Sequence, residues 1–145
     1  MKKVVNEMRL RLPARSENEA VCRAVISAFM AEINPTVEEI GDIRCAVSEA
    51  VTNSIVHGYR DTEDTSRAYI YISARLYDTR EISVEISDNG CGIEDVSLAM
   101  QPMYTTGGEE RSGMGFLVMQ SFTDSLTVKS KVGRGTSVLM RKKLS

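Results

Sequence analysis

The sequence predicts an α/β protein, a two-layer sandwich with a mixed, mostly antiparallel sheet and helices on one face. Three observations carry that expectation. Apolar and polar residues alternate in several short segments, which is the period of a half-buried strand. Two longer segments instead space apolar residues by three and four behind helix-start signatures. The elements run strand, two helices, two strands, a long irregular stretch, helix, two strands, an order that favours one sheet with its helices on one side. With 145 residues the chain has the length of a single domain, 1–145, and it contains no internal repeat or low-complexity linker.

Each element has a local reason. Met8, Leu10 and Leu12 alternate with Arg9 and Arg11 and give the first strand. S-E-N-E at 16–19 has the form of a capping box, in which Ser16 and Glu19 satisfy free amides at a helix start. Ala20, Val21, Ala24, Val25, Ala28 and Phe29 form the apolar stripe of that helix, and Asn34-Pro35 stops it. A second box, T-V-E-E at 36–39, opens the next helix. Its stripe runs through Ile40, Ile43, Val47, Ala50, Val51 and Ser54, and Gly58 is placed to end it. Ile70, Ile72, Ala74 and Leu76 alternate as a strand, Asp78-Thr79-Arg80 turns the chain, and Ile82, Val84 and Ile86 alternate as the next. The stretch from Gly90 to Ser112 is irregular, and a short helix over 114–124 follows it. Leu126 and Val128 lie in a strand, G-R-G at 133–135 turns it, and Thr136 to Met140 make the last one.

Composition narrows the function. Apolar residues make up 42% of the chain and charged ones 26%, the balance of a globular protein. A net charge of −2 argues against a protein that binds nucleic acid by neutralising phosphates, and the absence of Trp argues against base-stacking platforms. Cys22, Cys45 and Cys91 are odd in number and form no C-x-x-C pair, so neither a zinc site nor a disulfide framework is implied. No leader-like or membrane-spanning apolar run occurs, which predicts a soluble cytoplasmic protein.

The second helix contains S-E-A-V-T-N-S-I-V-H-G-Y, residues 48–59, with Glu49, Asn53 and His57 at steps of four. Such residues stand one above another on a helix surface. The stripe through Val47 points one way, and Glu49 and Asn53 point largely the other. A phosphate-bearing ligand with Mg²⁺ accounts for the pair. Mg²⁺ takes oxygen ligands and keeps several waters, so the Asn53 amide oxygen plus substrate phosphates suffice. Glu49, one turn earlier, can accept a proton from an attacking hydroxyl or water. Alone, the pattern also fits two solvated helix positions. His57 sits near the helix end, where capping or packing competes with ligand contact.

The strand at 81–87 runs into D-N-G-C-G-I, residues 88–93. Gly90 and Gly92 allow close approach of backbone to a flat ligand and tolerate positive φ. Asp88 is placed to accept a hydrogen bond from an exocyclic amine such as that of adenine. A hairpin built on Asn-Gly fits poorly, because no alternating strand follows at once. The third piece is R-S-G-M-G-F, residues 111–116, at a helix start, where exposed amides and the helix dipole favour an anion. Arg111 and Ser112 add a charge and a hydroxyl. The segment is neither a Walker loop nor a Rossmann fingerprint.

In this order the pieces resemble the ATP-binding fold shared by gyrase, the ninety-kilodalton heat-shock chaperone, histidine kinases and mismatch-repair proteins, the GHKL superfamily. The resemblance assigns ATP or ADP binding to Asn53, Asp88, Gly90, Gly92, Ile93, Thr105, Thr106, Arg111, Ser112, Gly113, Met114, Gly115, Phe116 and Thr136. It makes Glu49 the catalytic base and Asn53 the Mg²⁺ ligand. S-E-A-V-T-N, I-V-H-G-Y, Q-P-M-Y-T-T, R-S-G-M-G-F-x-V-M and A-R-S-E-N-E are further similar to the sporulation anti-sigma factors of endospore-forming bacteria, across nearly the whole chain. G-G-E-E-R at 107–111 is shorter and richer in glycine than that family's pattern. The resemblance implies a homodimeric serine kinase that holds a sigma factor, sigma F, and phosphorylates an anti-anti-sigma factor. Arg23 on the first helix is the candidate partner contact. The alternatives are a nucleotide-gated sigma-binding module without kinase activity and a related stress-response anti-sigma kinase. A detached histidine-kinase domain would share the motifs, yet the sole histidine, His57, lies inside the ATP-binding helix.

Overall fold

The computed structural model describes residues 2–60, 62, 64–101 and 115–145. Alternation builds its sheet. Strands β1 (Val4–Pro13), β2 (Tyr69–Tyr77), β3 (Glu81–Asp88), β4 (Ser125–Lys131) and β5 (Gly135–Lys143) form one five-stranded sheet in the order β1-β2-β3-β5-β4. The sequence predicts a mixed, mostly antiparallel sheet, and every pairing is antiparallel. Hairpin turns join β2 to β3 and β4 to β5, and consecutive strands joined so tightly must run antiparallel. Arg80 at φ 61° and Gly133 at φ 79° supply the left-handed residues these turns need.

Helices α1 (Glu17–Met30), α2 (Val37–Asn53) and α4 (Gly115–Phe122) supply the second layer, and a single turn, α3 (Val96–Ala99), lies beyond β3. Ile70, Ile72, Ala74, Leu76, Ile82, Val84, Ile86, Val138 and Met140 point from the sheet into a core completed by the helices. From α2 come Ile43, Ala46, Val47, Ala50 and Val51, the stripe the sequence predicts with Ala46 added. The partly buried Ile40 packs at its edge, and Ser54 is buried one turn further on. The short turn α3 falls in a stretch whose pattern predicts no element. It is capped by Asp95, whose carboxylate accepts the Leu98 amide at 3.0 Å.

Two helix expectations need correction, both on α1. Its buried residues are Cys22, Ile26 and Met30, with Phe29 packed against them, whereas Ala20, Val21, Ala24 and Ala28 are exposed. Two overlapping apolar stripes lie on this helix, and the one carrying Cys22, Ile26 and Met30 faces the core. The S-E-N-E box also does not form. Ser16 makes no side-chain cap and donates instead to Glu17 at 3.0 Å. Glu19 is occupied by residues of α2, described below. The helix does end where expected, through a 3₁₀ turn at Ala31–Ile33 and Asn34 in the left-handed region at φ 53°.

The box on α2 is complete. The Glu39 amide donates to Thr36 Oγ1 at 3.1 Å, and the Thr36 amide donates back to Glu39 Oε1 at 2.8 Å. Glu39 Oε2 also accepts the Ser145 amide at 2.9 Å. These backbone donors, Thr36 first, hold the Glu39 carboxyl down at about 2. Because the folded value lies below the unfolded one, the box contributes fully above pH 4.5 and is lost as the pH falls toward about 2. We expect Thr36→Ala to lower the unfolding free energy by about 1 kcal/mol. Ser16→Ala should cost well under half of that. Urea titrations with unchanged slopes check both, and equal losses would contradict the difference between the two caps.

Candidate active site

Helix α2 does not stop at Asn53. It runs on through a π turn, Ser54–Gly58, before the chain leaves at Tyr59. Wider turns of this kind occur often at functional sites, because they re-aim side chains that a regular helix would place elsewhere. Ser54 is 6% exposed, and its hydroxyl donates to Asp88 Oδ2 at 2.8 Å. Asp88, also 6% exposed, receives the Gly90 amide at 2.9 Å and the Thr136 amide at 3.3 Å on Oδ1. Burial raises the Asp88 carboxyl above its ordinary value, and the three donors act against that rise.

Close backbone contacts frame this carboxylate. A Cβ on Gly90 would lie 2.0 Å from the Gly58 carbonyl oxygen, and one on Gly135 would lie 2.0 Å from that of Asp88. The sequence assigns Gly90 to ligand approach, but it is the protein's own backbone that requires glycine there. Gly92 does take positive φ, at 79°, yet its missing Cβ faces the Lys131 carbonyl at 2.3 Å. The Cys91 amide completes the join to the π turn with a 2.6 Å bond to the Gly58 carbonyl. Cys91 Sγ, half-buried, reaches the His57 carbonyl at 3.3 Å.

Beside this floor opens a cavity of about 1030 Å³, at the upper end of small-ligand pockets. Glu49, Asn53, His57, Asp88, Gly92, Ile93, Gly115, Phe116 and Thr136 all line it. The expected constellation is therefore brought to one place. A Cβ on Gly115 would meet Asn53 Nδ2 and Oδ1 at 3.2 Å and Glu49 Oε2 at 3.3 Å, so the start of α4 lies directly on these two side chains. The Ile93 amide donates to Ser130 Oγ at 2.7 Å, and Ser130 and Thr136 share a hydroxyl bond of 2.8 Å. Thr105, Thr106, Arg111, Ser112, Gly113 and Met114 lie outside the described residues. Arg23 lies on α1, paired with Glu19 at 2.5 Å.

Residues 12–142 match the histidine kinase-like ATPase domain family. The chain is 48% identical to the anti-sigma F factor of Clostridium botulinum (strain Eklund 17B / Type B), over 97% of this chain and 96% of that one. It is 49% identical to the anti-sigma F factor of Clostridium perfringens (strain SM101 / Type A), over 97% and 98%. The chain belongs to the anti-sigma F factor family. It carries the nucleotide-binding, kinase-type ATPase domain of the GHKL superfamily. The RsbU and RsbW domains of a Mycobacterium tuberculosis protein have the same fold, with a TM-score of 0.71 at 21% identity over 97% of this chain and 33% of theirs. A blue-light activated histidine kinase of Erythrobacter litoralis EL346 gives 0.61 at 20% identity, over 86% and 42%. Among the described residues no helix is long and apolar enough to cross a membrane.

Three residues at the cavity or its floor were not read from the sequence as belonging there. Ser54 appears there only as the last member of an apolar stripe, although a hydroxyl at the end of such a stripe is itself a signal for a buried acceptor. Gly135 reads as a turn residue, yet at φ 113° it serves close approach to Asp88. Glu19 reads as a cap, yet it lines the cavity.

The adenine assignment of Asp88 has a direct check. Asp88→Asn should weaken ATP binding by one charged hydrogen bond, about 1.5–3 kcal/mol. In that role the ionised carboxylate would be the acceptor, and its affinity for protons is raised by burial. ATP affinity in the wild type should therefore fall with acidification at a higher pH than an ordinary aspartate would give, and Asp88→Asn should remove that component. Calorimetric titration measures both, and affinity within twofold of wild type in the variant would remove Asp88 from adenine recognition.

Proposed function

We propose that the chain is a cytoplasmic protein serine kinase that transfers the ATP γ-phosphoryl group to a serine of an anti-anti-sigma factor. In its nucleotide-bound state it would hold and inhibit a sporulation sigma factor, sigma F. One domain would carry both activities, as a homodimer. The observation that carries this reading is the placement of Glu49 and Asn53 on one wall of the cavity, with Gly115 against both and Asp88 at its floor. Pure binding needs no carboxylate one turn from the metal-binding amide.

Phosphoryl transfer depends mainly on positioning and charge neutralisation. Asn53 would hold Mg²⁺ through its amide oxygen, and the ion would supply neutralisation of phosphate charge. The donor type fits, since Mg²⁺ prefers oxygen. Asp88 fixes the adenine end and Thr136 stands beside it. Glu49 orients the serine hydroxyl and takes its proton. The names of the curated relatives support the sigma-factor partner, and a guanidinium on α1, Arg23, supplies a group suited to an acidic patch on a partner.

Incubation with labelled ATP and a candidate anti-anti-sigma protein tests the proposal: label on a partner serine supports it, and no transfer despite tight ATP binding supports a binding module. Glu49→Gln keeps size and an acceptor but takes no proton. It should bind ATP normally and lose phosphoryl transfer by roughly 10²–10⁴-fold. Near-normal transfer in that variant would end the general-base role. Asn53→Asp adds a negative charge among the phosphates and should lose activity with altered Mg²⁺ dependence.

A further inference from the structure

Among the described residues that line the cavity, Arg60 is the sole lysine or arginine, set against the carboxylates of Glu19, Glu49, Asp88, Glu94 and Asp95. A cation in the wall of a site for a polyanion belongs, on charge alone, at the phosphate end. Arg60 is at the other end. Glu49, Asn53 and Gly115 meet where the metal and the phosphates would lie. Arg60 leaves the chain beyond the π turn, and its Nη1 donates to the His57 carbonyl at 3.2 Å. Carbonyls of a helix point toward its C-terminal end, so this bond holds the guanidinium on the side of the turn away from Asn53. Gly58, the next residue, stands against Asp88, where a Cβ would lie 3.0 Å from Oδ2. The backbone that carries Arg60 is fixed to the same floor. Tyr59, buried, donates its hydroxyl to the Tyr69 carbonyl at 2.5 Å and accepts the amide of Asn89, the residue after Asp88, at 2.9 Å.

We propose that the Arg60 guanidinium lies on the face of the adenine whose edge Asp88 reads. The inference rests on the nucleotide reading of the cavity and adds a residue to its base-binding end. An arginine on the last carbonyls of a helix is an ordinary cap, and that alone would give Arg60 a structural part only. Its place on the cavity wall beside the Asp88 floor gives it a second one. Guanidinium is planar and weakly hydrated, so one edge can keep the carbonyl bond while the flat face covers a ring. A purine offers a π face to such a cation whatever its edge is bonded to, and the attraction needs no phosphate. Edge reading by Asp88 and face contact by Arg60 are then separate contributions to binding of one base. Arg60 is exposed, which sets its contribution at the modest end of such contacts.

The experiment uses the whole chain with ATP·Mg²⁺ and, as an uncharged probe, adenosine. Arg60→Ala should weaken both by the same factor, about fivefold, the size of a partly exposed cation–π contact. A guanidinium that served the phosphates would instead give a loss for ATP alone, shrinking as salt is raised, and that result would overturn the proposal. Arg60→Lys keeps the charge and a donor for the His57 carbonyl but has no flat face. Its adenosine affinity should stay near that of Arg60→Ala, and wild-type affinity would assign Arg60 to capping or charge and overturn the proposal as well. A second readout sees the contact itself. Protons held over an aromatic face move upfield, so the Arg60 δ-proton NMR signals, identified by their loss in Arg60→Lys, should move upfield when adenosine is added. A downfield shift or none would place the side chain off the ring face and overturn the proposal. Failure of the wild type to bind either probe would overturn the nucleotide reading and this inference with it, whereas normal wild-type binding with no response to Arg60→Ala would overturn the inference alone.

Discussion

The fold of the site depends on one buried carboxylate. Removing Asp88 from water costs several kcal/mol unless donors replace the solvent. The chain brings three of them from three different places: a hydroxyl from the end of α2, an amide from the loop after β3 and an amide from the start of β5. Satisfying that group therefore fixes where the long helix ends, where the loop turns back and where the last strand begins. The glycines follow from the same constraint. Gly58, Gly90 and Gly135 are the residues around Asp88 at which any Cβ would strike the carboxylate or backbone, at 3.0 Å or less.

Helix α2 is the element that transmits this constraint. Its apolar stripe is buried between sheet and helices, so it cannot rotate without exposing Val47 and Val51. Rotation being blocked, the direction of Glu49 and Asn53 is settled by packing on the opposite side. Ser54, next on that buried face, points at Asp88, and the π turn that follows brings Gly58 against Gly90.

How much of this was legible in the sequence follows from which forces are local. The T-V-E-E box closes within four residues, so its letters suffice and the structure contains it. S-E-N-E has the same letters, but Glu19 finds Ser48 and Thr52, 29 and 33 residues away, and tertiary donors beat the local amide. The α1 stripe was misread for a related reason. Small and large apolar residues both recur with helical spacing there, and only the shape of the sheet beneath decides in favour of Cys22, Ile26 and Met30. In the site, the meeting of Glu49, Asn53, Asp88 and Gly115 in one cavity was readable from motif order. The reason for Gly90 was not, since a glycine needed for a backbone contact 32 positions away looks like one needed for a ligand.

The two ends of the cavity are held by different kinds of interaction, and this difference bears on what each can do. At the Asp88 end the contacts join backbone to backbone, or a buried hydroxyl and backbone amides to a buried carboxylate, with no room for a Cβ on the surrounding glycines. Such a floor has essentially one arrangement, which suits recognition of a flat, invariant group. At the Glu19 end the contacts are hydroxyl to carboxylate and guanidinium to carboxylate, between side chains that remain partly exposed. These can exchange partners at small cost, because water or another charged group can replace each of them. The two ends of this cavity therefore differ in how readily they rearrange: its floor is fixed by backbone contacts, while the side chains at the Glu19 end can exchange theirs with solvent or another charged group.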